Sequence, residues 1–423
     1  MRTVTDAVDL LRTASPAAVD VFTRILTRGP LSRTDVARLT GLSQAAITKA
    51  VAPMVAAGLV ADRHEPAGTG TGSGNGNGLP GRPASPVRVV PESIITLGIK
   101  VNPGDIIGVA TDLTAGILVS AHLAVVDTGF ASMVDSIAEV ARRLSELLGE
   151  RAERLAGICV AVSGDVDTAG GVVRESALLG WADEPLGAAL RSRLGVEVLI
   201  ENDVRALTIA EHWFGVGVGT GSFAIVTIGS GIGCGLHVNG EVVEGAFGVA
   251  GEIGHLPLTS EQYVCTCGRR GCVEAVAGSS AIVRAVASAQ PTPVASIDDA
   301  VALAHAGEPA AIEAFDRAGT VIGTAIATVA NLTGPEIVVI TGEAVADYDL
   351  YDQRLRAAFG AHAFGAAGNC RIVIRPHTFE DWARGAAAAA LRGLVLQRYA
   401  GVSSIAPTSS RRPSPLASSR EPV

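Results

Sequence analysis

Three of the chain's six cysteines fall within eight consecutive positions. The segment reads "GHLPLTSEQYVCTCGRRGCVEA" over residues 254–275, so Cys265, Cys267 and Cys272 have the spacing C-x-C-x4-C, with His255 ten residues before the first. Gly268 and Gly271 permit the tight turn this spacing needs. Three thiolates and one imidazole form a closed tetrahedral donor set, the structural type for Zn2+. The expected cofactor is one structural zinc ion held by His255, Cys265, Cys267 and Cys272. Redox-active thiols and thiols with no ligand are the alternatives. A closed set leaves no position for an activated water, so catalysis at the metal is not expected. Whatever fold surrounds this loop has to bring His255 back onto the cysteines. It then also brings together two flanking carboxylates, Glu252 and Glu274.

A chain of 423 residues is expected to hold several domains. The net charge of −9 is unevenly spread: residues 1–90 carry ten Arg/Lys against six Asp/Glu, so the remainder is strongly acidic. A small basic front on an acidic body suggests a nucleic-acid module joined to something else, although scattered surface charge gives the same balance. The start "MRTVTDAVDLLRTASPAA" has no apolar run of signal-peptide length. The apolar stretch 321–340 is broken by Asn331, Gly334 and Pro335 and reads as a helix followed by a strand, not a membrane span. A cytoplasmic protein without a disulfide framework is expected.

The first 91 residues read as three helices and two short strands. Ser15-Pro16 is a helix start, and Val19, Phe22, Ile25 and Leu26 follow at helical spacing until Gly29-Pro30. Ser32 with Asp35 starts a second helix, which Gly41 ends. Ser43 then caps "QAAITKAVAPMVAAG", whose inward stripe is Ile47, Val51, Met54 and Val55. Pro53 removes one backbone hydrogen bond from it. Ser43, Gln44, Ala45, Thr48 and Lys49 lie on the outward side. Two short helices about a glycine turn, the second presenting small polar side chains, form helix-turn-helix architecture able to enter the major groove of double-stranded DNA. "GLVAD" and "PVRVV" resemble the two strands of a winged helix, with a Gly-rich wing over 66–86 between them. Arg82 in "PGRP" has the placement of a minor-groove arginine, or of a solvated linker arginine. A three-helix protein-interaction domain is the competing reading of this front segment.

From residue 92 to about 401 strands alternate with helices, the pattern of an α/β fold. "SIITLGIKV" and "DIIGVATDL" are joined by the turn "NPGD", and a helix near 131–149 and the strand "GICVAV" follow. A second set opens with "SFAIVTIGSGIGCGLHVNGEVV" and closes with a helix near 309–331 and "EIVVITG". Two such halves suggest an actin-like, sugar-kinase type of two-lobe architecture. Residues 402–423 are expected to be a disordered tail.

"GEIGH" at 251–255 and "CTCGRRGCVE" at 265–274 resemble the ROK family of repressors, open reading frames and kinases, in particular its sugar-responsive regulators, over about residues 92–400. The resemblance implies a sugar site between two lobes, with Glu252, His255 and Glu274 binding hydroxyls around the zinc loop. "IENDVRALTIAEHWFG" resembles the family's Asn-Asp element and adds Asn202 and Asp203, although Asn202 alone would read as a helix cap. In family kinases that Asp is the general base.

A kinase also needs loops that hold ATP phosphates. Aligned with the family's Asp-x-Gly-Gly-Thr loop, this chain has Lys100 at the Asp and Asn102 and Pro103 at the glycines. Pro103 has no amide hydrogen to offer. "TIGSGIGCG" at 227–235 preserves a glycine loop, but "ITGEA" brings Glu343 into the expected adenosine side. The resulting expectation is a non-enzymatic repressor, a homodimer or homotetramer on a palindromic operator, released by a monosaccharide. An ATP-dependent hexose kinase with an attached DNA-binding domain is the alternative.

Overall fold

Ala7 and Leu11 lie one helical turn apart and bury one face of helix α1 (Val4–Thr13). The sequence expectation did not include this helix. Three serine caps then start helices where their context predicts. Ser15 Oγ accepts from the Ala18 amide at α2 (Pro16–Arg28), Ser32 Oγ from Asp35 at α3 (Arg33–Thr40), and Ser43 Oγ from Ala46 at α4 (Gln44–Ala56). Each cap contributes about 1 kcal/mol. Gly41 takes φ 71° between α3 and α4, a backbone conformation that favours glycine. Helix α4 continues through Pro53 to Ala56. Val21, Phe22, Ile25, Val36, Ile47, Val51 and Met54 are buried together, while Val19, Leu39 and Val55 are only half-buried. Strands β1 (Val60–Asp62) and β2 (Val87–Val89) pair antiparallel, and Arg33 holds Asp62 at 2.7 Å. The computed structural model describes residues 4–62, 86–291 and 293–397. The Gly-rich wing lies, but for Pro86, outside the described residues. Arg82 and the tail 402–423 lie outside them too.

Two lobes follow, with matching topology. In the first, β3 (Ile95–Val101), β4 (Asp105–Thr111) and β5 (Ile117–Ala124) form an antiparallel meander, and α5 (Phe130–Leu148) leads to β6 (Leu155–Val162), parallel to β3. A small sheet, β7 (Asp165–Asp167), β8 (Val172–Ser176) and β9 (Trp181–Glu184), precedes α6 (Leu186–Leu194) and β10 (Val198–Asn202). Helix α7 (Asp203–Phe214) follows directly. The second lobe has β11 (Phe223–Ile228), β12 (Ile232–Val238) and β13 (Glu241–Val242). After the cysteine loop come α8 (Glu274–Ala277), α9 (Ser279–Ala287), α10 (Ile297–His305) and α11 (Pro309–Thr333). Strand β14 (Ile337–Thr341), α12 (Asp349–His362), β15 (Arg371–Ile374) and α13 (Phe379–Val395) complete the chain. The strand orders are β10-β6-β3-β4-β5 and β15-β14-β11-β12-β13. Each sheet therefore has a central strand with an antiparallel hairpin partner on one side and parallel strands on the other. This is the predicted doubled α/β, actin-like arrangement.

All seven residues of β3 are buried, because helices cover both faces of the first sheet. A Cβ on Gly98 would overlap the Ala383 carbonyl and Ala387 amide, so only glycine lets α13 press onto β3. Helix α7 sits between the lobes: Val204 and Thr208 pack on Gly233 and Gly235 of β12. At its far end Trp213 joins the hydrophobic cluster of α1–α4, with Leu391 and Val395 of α13. One helix thus runs from the cleft to the N-terminal unit.

Beside Trp213, His212 and His237 stack with ring centroids 3.9 Å apart. His212 Nδ1 and both nitrogens of His237 are buried without a hydrogen bond. Burial first, then His237, Arg392, Arg24 and Arg28, push His212 down to about 3; burial also pushes His237 down. A histidine depressed on folding stabilises above its unfolded pKa, and that stability is lost as pH falls toward the folded value. Acidification from pH 7 to 5 is therefore expected to cost about 2 kcal/mol through His212. Thermal melts across this range check it, and His212→Gln should flatten the slope. A melting temperature indifferent to pH here would remove the pair from the account.

Candidate metal centre and interlobe cleft

The four predicted metal ligands converge. One ligand atom each from His255, Cys265, Cys267 and Cys272 lies within 4.8 Å of the other three. His255 Nδ1 is 3.7 Å from Cys265 Sγ, and Cys267 Sγ is 3.9 Å from Cys272 Sγ. A tetrahedral zinc site with Zn–S near 2.3 Å needs sulfur separations of about 3.8 Å, and the Cys267–Cys272 pair has that spacing. The loop that achieves this is closed by backbone: Cys265 N donates to Arg269 O at 2.8 Å and Gly271 N to Tyr263 O at 2.9 Å. Gly268 and Gly271 take φ of 81° and 77°, as the spacing required. Burial, then Cys265 and Cys267, push Cys272 up to about 12, so a cation has to displace that proton to be bound.

With Nδ1 turned to the thiols, His255 presents Nε2 to the cleft, 4.0 Å from Glu252 Oε2. Glu252 is half-exposed. Burial raises its pKa; His255 opposes, while Glu274, Asp203 and Asp165 add to the rise. These acids therefore lie near enough to Glu252 for their charges to act on it. Glu274 starts α8 and accepts from the Ile232 amide at 3.1 Å and from Thr266 Oγ1 at 3.3 Å. It ties the cysteine loop to the glycine loop before β12.

Asn202 and Asp203 lie where β10 passes into α7. Asn202 is the helix cap, accepting from the Arg205 amide at 3.0 Å, and its Nδ2 donates to Gly164 O at 3.0 Å. The capping alternative is thus realised, and one N–H of the amide remains for other use. Asp203 is buried. Its Oδ1 accepts from the Val204 amide at 2.8 Å, and its Oδ2 pairs with Lys100 Nζ. Lys100 also lies 5.5 Å over the Trp382 ring. The sequence placed Lys100 where a kinase has a carboxylate; it did not reveal that the two residues face each other.

Further contacts were not anticipated. Buried Arg205 pairs with Glu201 and donates to Thr168 Oγ1 and, at 3.1 Å, to Gly248 O. Arg174 reaches Asp165 and Asp167, each at 3.1 Å, and Phe247 O at 2.8 Å. Two arginines of the first lobe and α7 thus hold the 244–252 loop, which ends in Glu252. The Glu201–Arg205 spacing of four was visible in the sequence, but it spans a strand–helix junction and not one helix. On the opposite wall Glu343 lies against the glycine loop: its carboxylate fills the space a side chain on Gly229 would need. The turn after β3 is closed by Asn102 N to Asp105 O and Asn102 Nδ2 to Asp105 Oδ1, both 3.0 Å, with Pro103 exposed.

In the N-terminal unit Ser43, Gln44, Ala45, Thr48 and Lys49 are all exposed on α4. Three of them have local roles: Ser43 is the cap, Gln44 Nε2 donates to Thr34 Oγ1 at 3.0 Å, and Thr48 Oγ1 donates to Gln44 O at 2.9 Å.

A family model described as the ROK family matches residues 96–392. A DNA-binding transcriptional dual regulator, NagC, from Escherichia coli K12 is 26% identical over 402 residues, 92% of this chain and 96% of its own. A glucokinase from Halalkalibacterium halodurans is 30% identical over 224 residues, 49% of this chain and 68% of its own. Among solved structures, a ROK family transcriptional regulator described as a homologue of the E. coli Mlc protein superposes with TM-score 0.75. It covers 90% of this chain and 97% of that one at 24% identity, a likeness of fold.

Proposed function

The chain belongs to the ROK family, and from that premise we propose that it is a sugar-responsive, DNA-binding transcriptional regulator, a repressor that a monosaccharide releases from a palindromic operator. One observation carries the reading. Likeness to the E. coli regulator runs through 92% of the chain, across the N-terminal helices as well as the two lobes, whereas likeness to the glucokinase stops at 49%.

Residues 1–91 act as a winged helix-turn-helix domain. The outward side of α4, with Gln44, Ala45, Thr48 and Lys49, enters the major groove, and Ser43 and Arg82 contact the duplex at its edges. Residues 92–401 form the sugar-binding part. Glu252, Glu274, His255 Nε2, Asp203 and the free N–H of Asn202 supply acceptors and donors for a polyol. Zinc bound by His255, Cys265, Cys267 and Cys272 fixes the ring of His255 and the loop carrying Glu274. No helix among the described residues is long and apolar enough to cross a membrane, and operator binding places the protein in the cytoplasm. A two-fold operator calls for at least a homodimer.

Two features argue against phosphoryl transfer in this cleft. The carboxylate a kinase would use as base is paired with Lys100, and a second carboxylate, Glu343, lies on the glycine loop. The kinase alternative retains Asp203 itself and the glycine loop. Helix α7 gives the cleft a direct contact with the N-terminal unit, Asp203 at one end and Trp213 at the other. Sugar bound at the first end changes how two α4 helices are spaced on DNA.

Fluorescence anisotropy of the full chain on DNA upstream of its own gene tests the reading. One monosaccharide from a panel should release the DNA without ATP. Glu252→Gln, which breaks no buried ion pair, should raise the sugar concentration needed by at least about tenfold and leave DNA affinity unchanged. By reciprocity, operator DNA should weaken sugar binding by the same factor by which sugar weakens DNA binding. Equal sugar affinity with and without DNA would sink the mechanism.

A further inference from the structure

We propose that the effector is an uncharged, unphosphorylated monosaccharide, and that the cleft rejects the phosphate esters of the same sugar. The inference rests on the sugar-responsive reading and names its ligand class. It comes from the charges and amides that face the cleft. A phosphate ester brings nearly two negative charges at neutral pH, and a site for it needs unpaired cations or free backbone amides.

Among the described residues, three cations beside the Asn-Asp element and the 244–252 loop are already matched. Lys100 pairs with Asp203, Arg205 with Glu201, and Arg174 with Asp165 and Asp167. Beyond these pairs stand three further carboxylates, Glu252, Glu274 and Glu343.

Three amides of the glycine loop already have partners. Gly229 N donates to Gly231 O at 3.1 Å, Ile232 N to Glu274 Oε2 at 3.1 Å, and Gly233 N to Thr227 Oγ1 at 3.2 Å. The loop also lies between two carboxylates. Glu343 fills the space beside Gly229, and a methyl group on Gly231 would come within 2.7 Å of Glu274 Oε2. An amide nest that binds phosphate has its N–H groups open and no carboxylate at its mouth. Neutral hydroxyls face no such obstacle, because carboxylates accept hydrogen bonds from them.

Calorimetric titration of the full-length protein against hexoses, pentoses and N-acetylhexosamines, each beside its own terminal phosphate ester, tests the inference. One parent sugar should bind, and its ester should bind at least about thirty-fold more weakly. Glu343→Gln, an exposed change that leaves every buried ion pair intact, should narrow that gap. An ester that binds as tightly as its parent overturns the inference and leaves the regulator reading standing. A gap unmoved in Glu343→Gln overturns its electrostatic cause. If no sugar or ester binds and none releases DNA, the sugar-responsive reading fails and the inference falls with it.

Discussion

Replacing Cys267 by Ser is expected to empty the metal centre and weaken the sugar response by about 10–100-fold, while operator binding without sugar persists. The protein as purified should carry one zinc per chain by elemental analysis, and the variant far less. The size follows from what the ion holds. Structural zinc contributes on the order of 10 kcal/mol to folding its immediate loop in isolated small domains. Here that loop carries His255 and leads into Glu274. Without the ion, Nδ1 of His255 loses the bond that sets the ring, and Nε2 is no longer held toward Glu252. The Cys272 thiol, pushed up to about 12 by burial and its neighbours, reprotonates, and the two remaining cysteines lose the ion that would hold them beside His255. Changes of groups that orient ligands at metal sites commonly cost 10–100-fold, which sets the expected range. The hydrophobic cluster that holds the N-terminal unit includes no residue of the cysteine loop, so DNA affinity should survive. A zinc-depleted protein that still answers sugar at the original concentration would overturn the linkage between ion and cleft. One that loses DNA binding too would place the ion in the stability of the whole chain.

The parts of this molecule that were legible in advance are those with a local physical signature. The serine caps, Gly41 and the cysteine spacing each fix geometry within a few residues, and each is found where the sequence put it. The two halves were legible because hairpins, helices and apolar strands repeat in the same order. Less legible were features that depend on distant partners. Lys100 and Asp203 are 103 positions apart in sequence; the sequence marks each as unusual but cannot pair them. Arg205 and Arg174 look like ordinary surface charges until the fold brings the carbonyls of Gly248 and Phe247 to them. Helix α1 was overlooked because its apolar residues form no long run, and its burial comes from packing beside α13. There Gln397 Nε2 donates to Leu11 O at 2.8 Å and Ala14 O at 3.0 Å.

Lys100→Met is expected to destabilise the protein by about 3–5 kcal/mol, because it leaves a buried carboxylate with the Val204 amide as its remaining partner. Lys100 is 6% exposed and Asp203 is 6% exposed, so water cannot replace the lost charge. Asp203→Asn alone should cost a similar amount for the opposite reason, an ammonium left without a counter-charge; its contact with Trp382 recovers only about 1 kcal/mol. Together the two changes remove both charges at nearly constant volume. The double variant should therefore regain most of the summed losses, a coupling of about 5–7 kcal/mol. The functional readout then separates two roles for Asp203. If the carboxylate touches the sugar, the double variant melts nearly as the parent does yet has lost the sugar response. If Asp203 only neutralises Lys100, stability and sugar response return together. Denaturant unfolding with anisotropy on operator DNA, run on all four proteins, decides between these outcomes. Strictly additive stabilities would show that the ion pair contributes nothing as a pair, and would remove the argument that Lys100 has disabled a catalytic base.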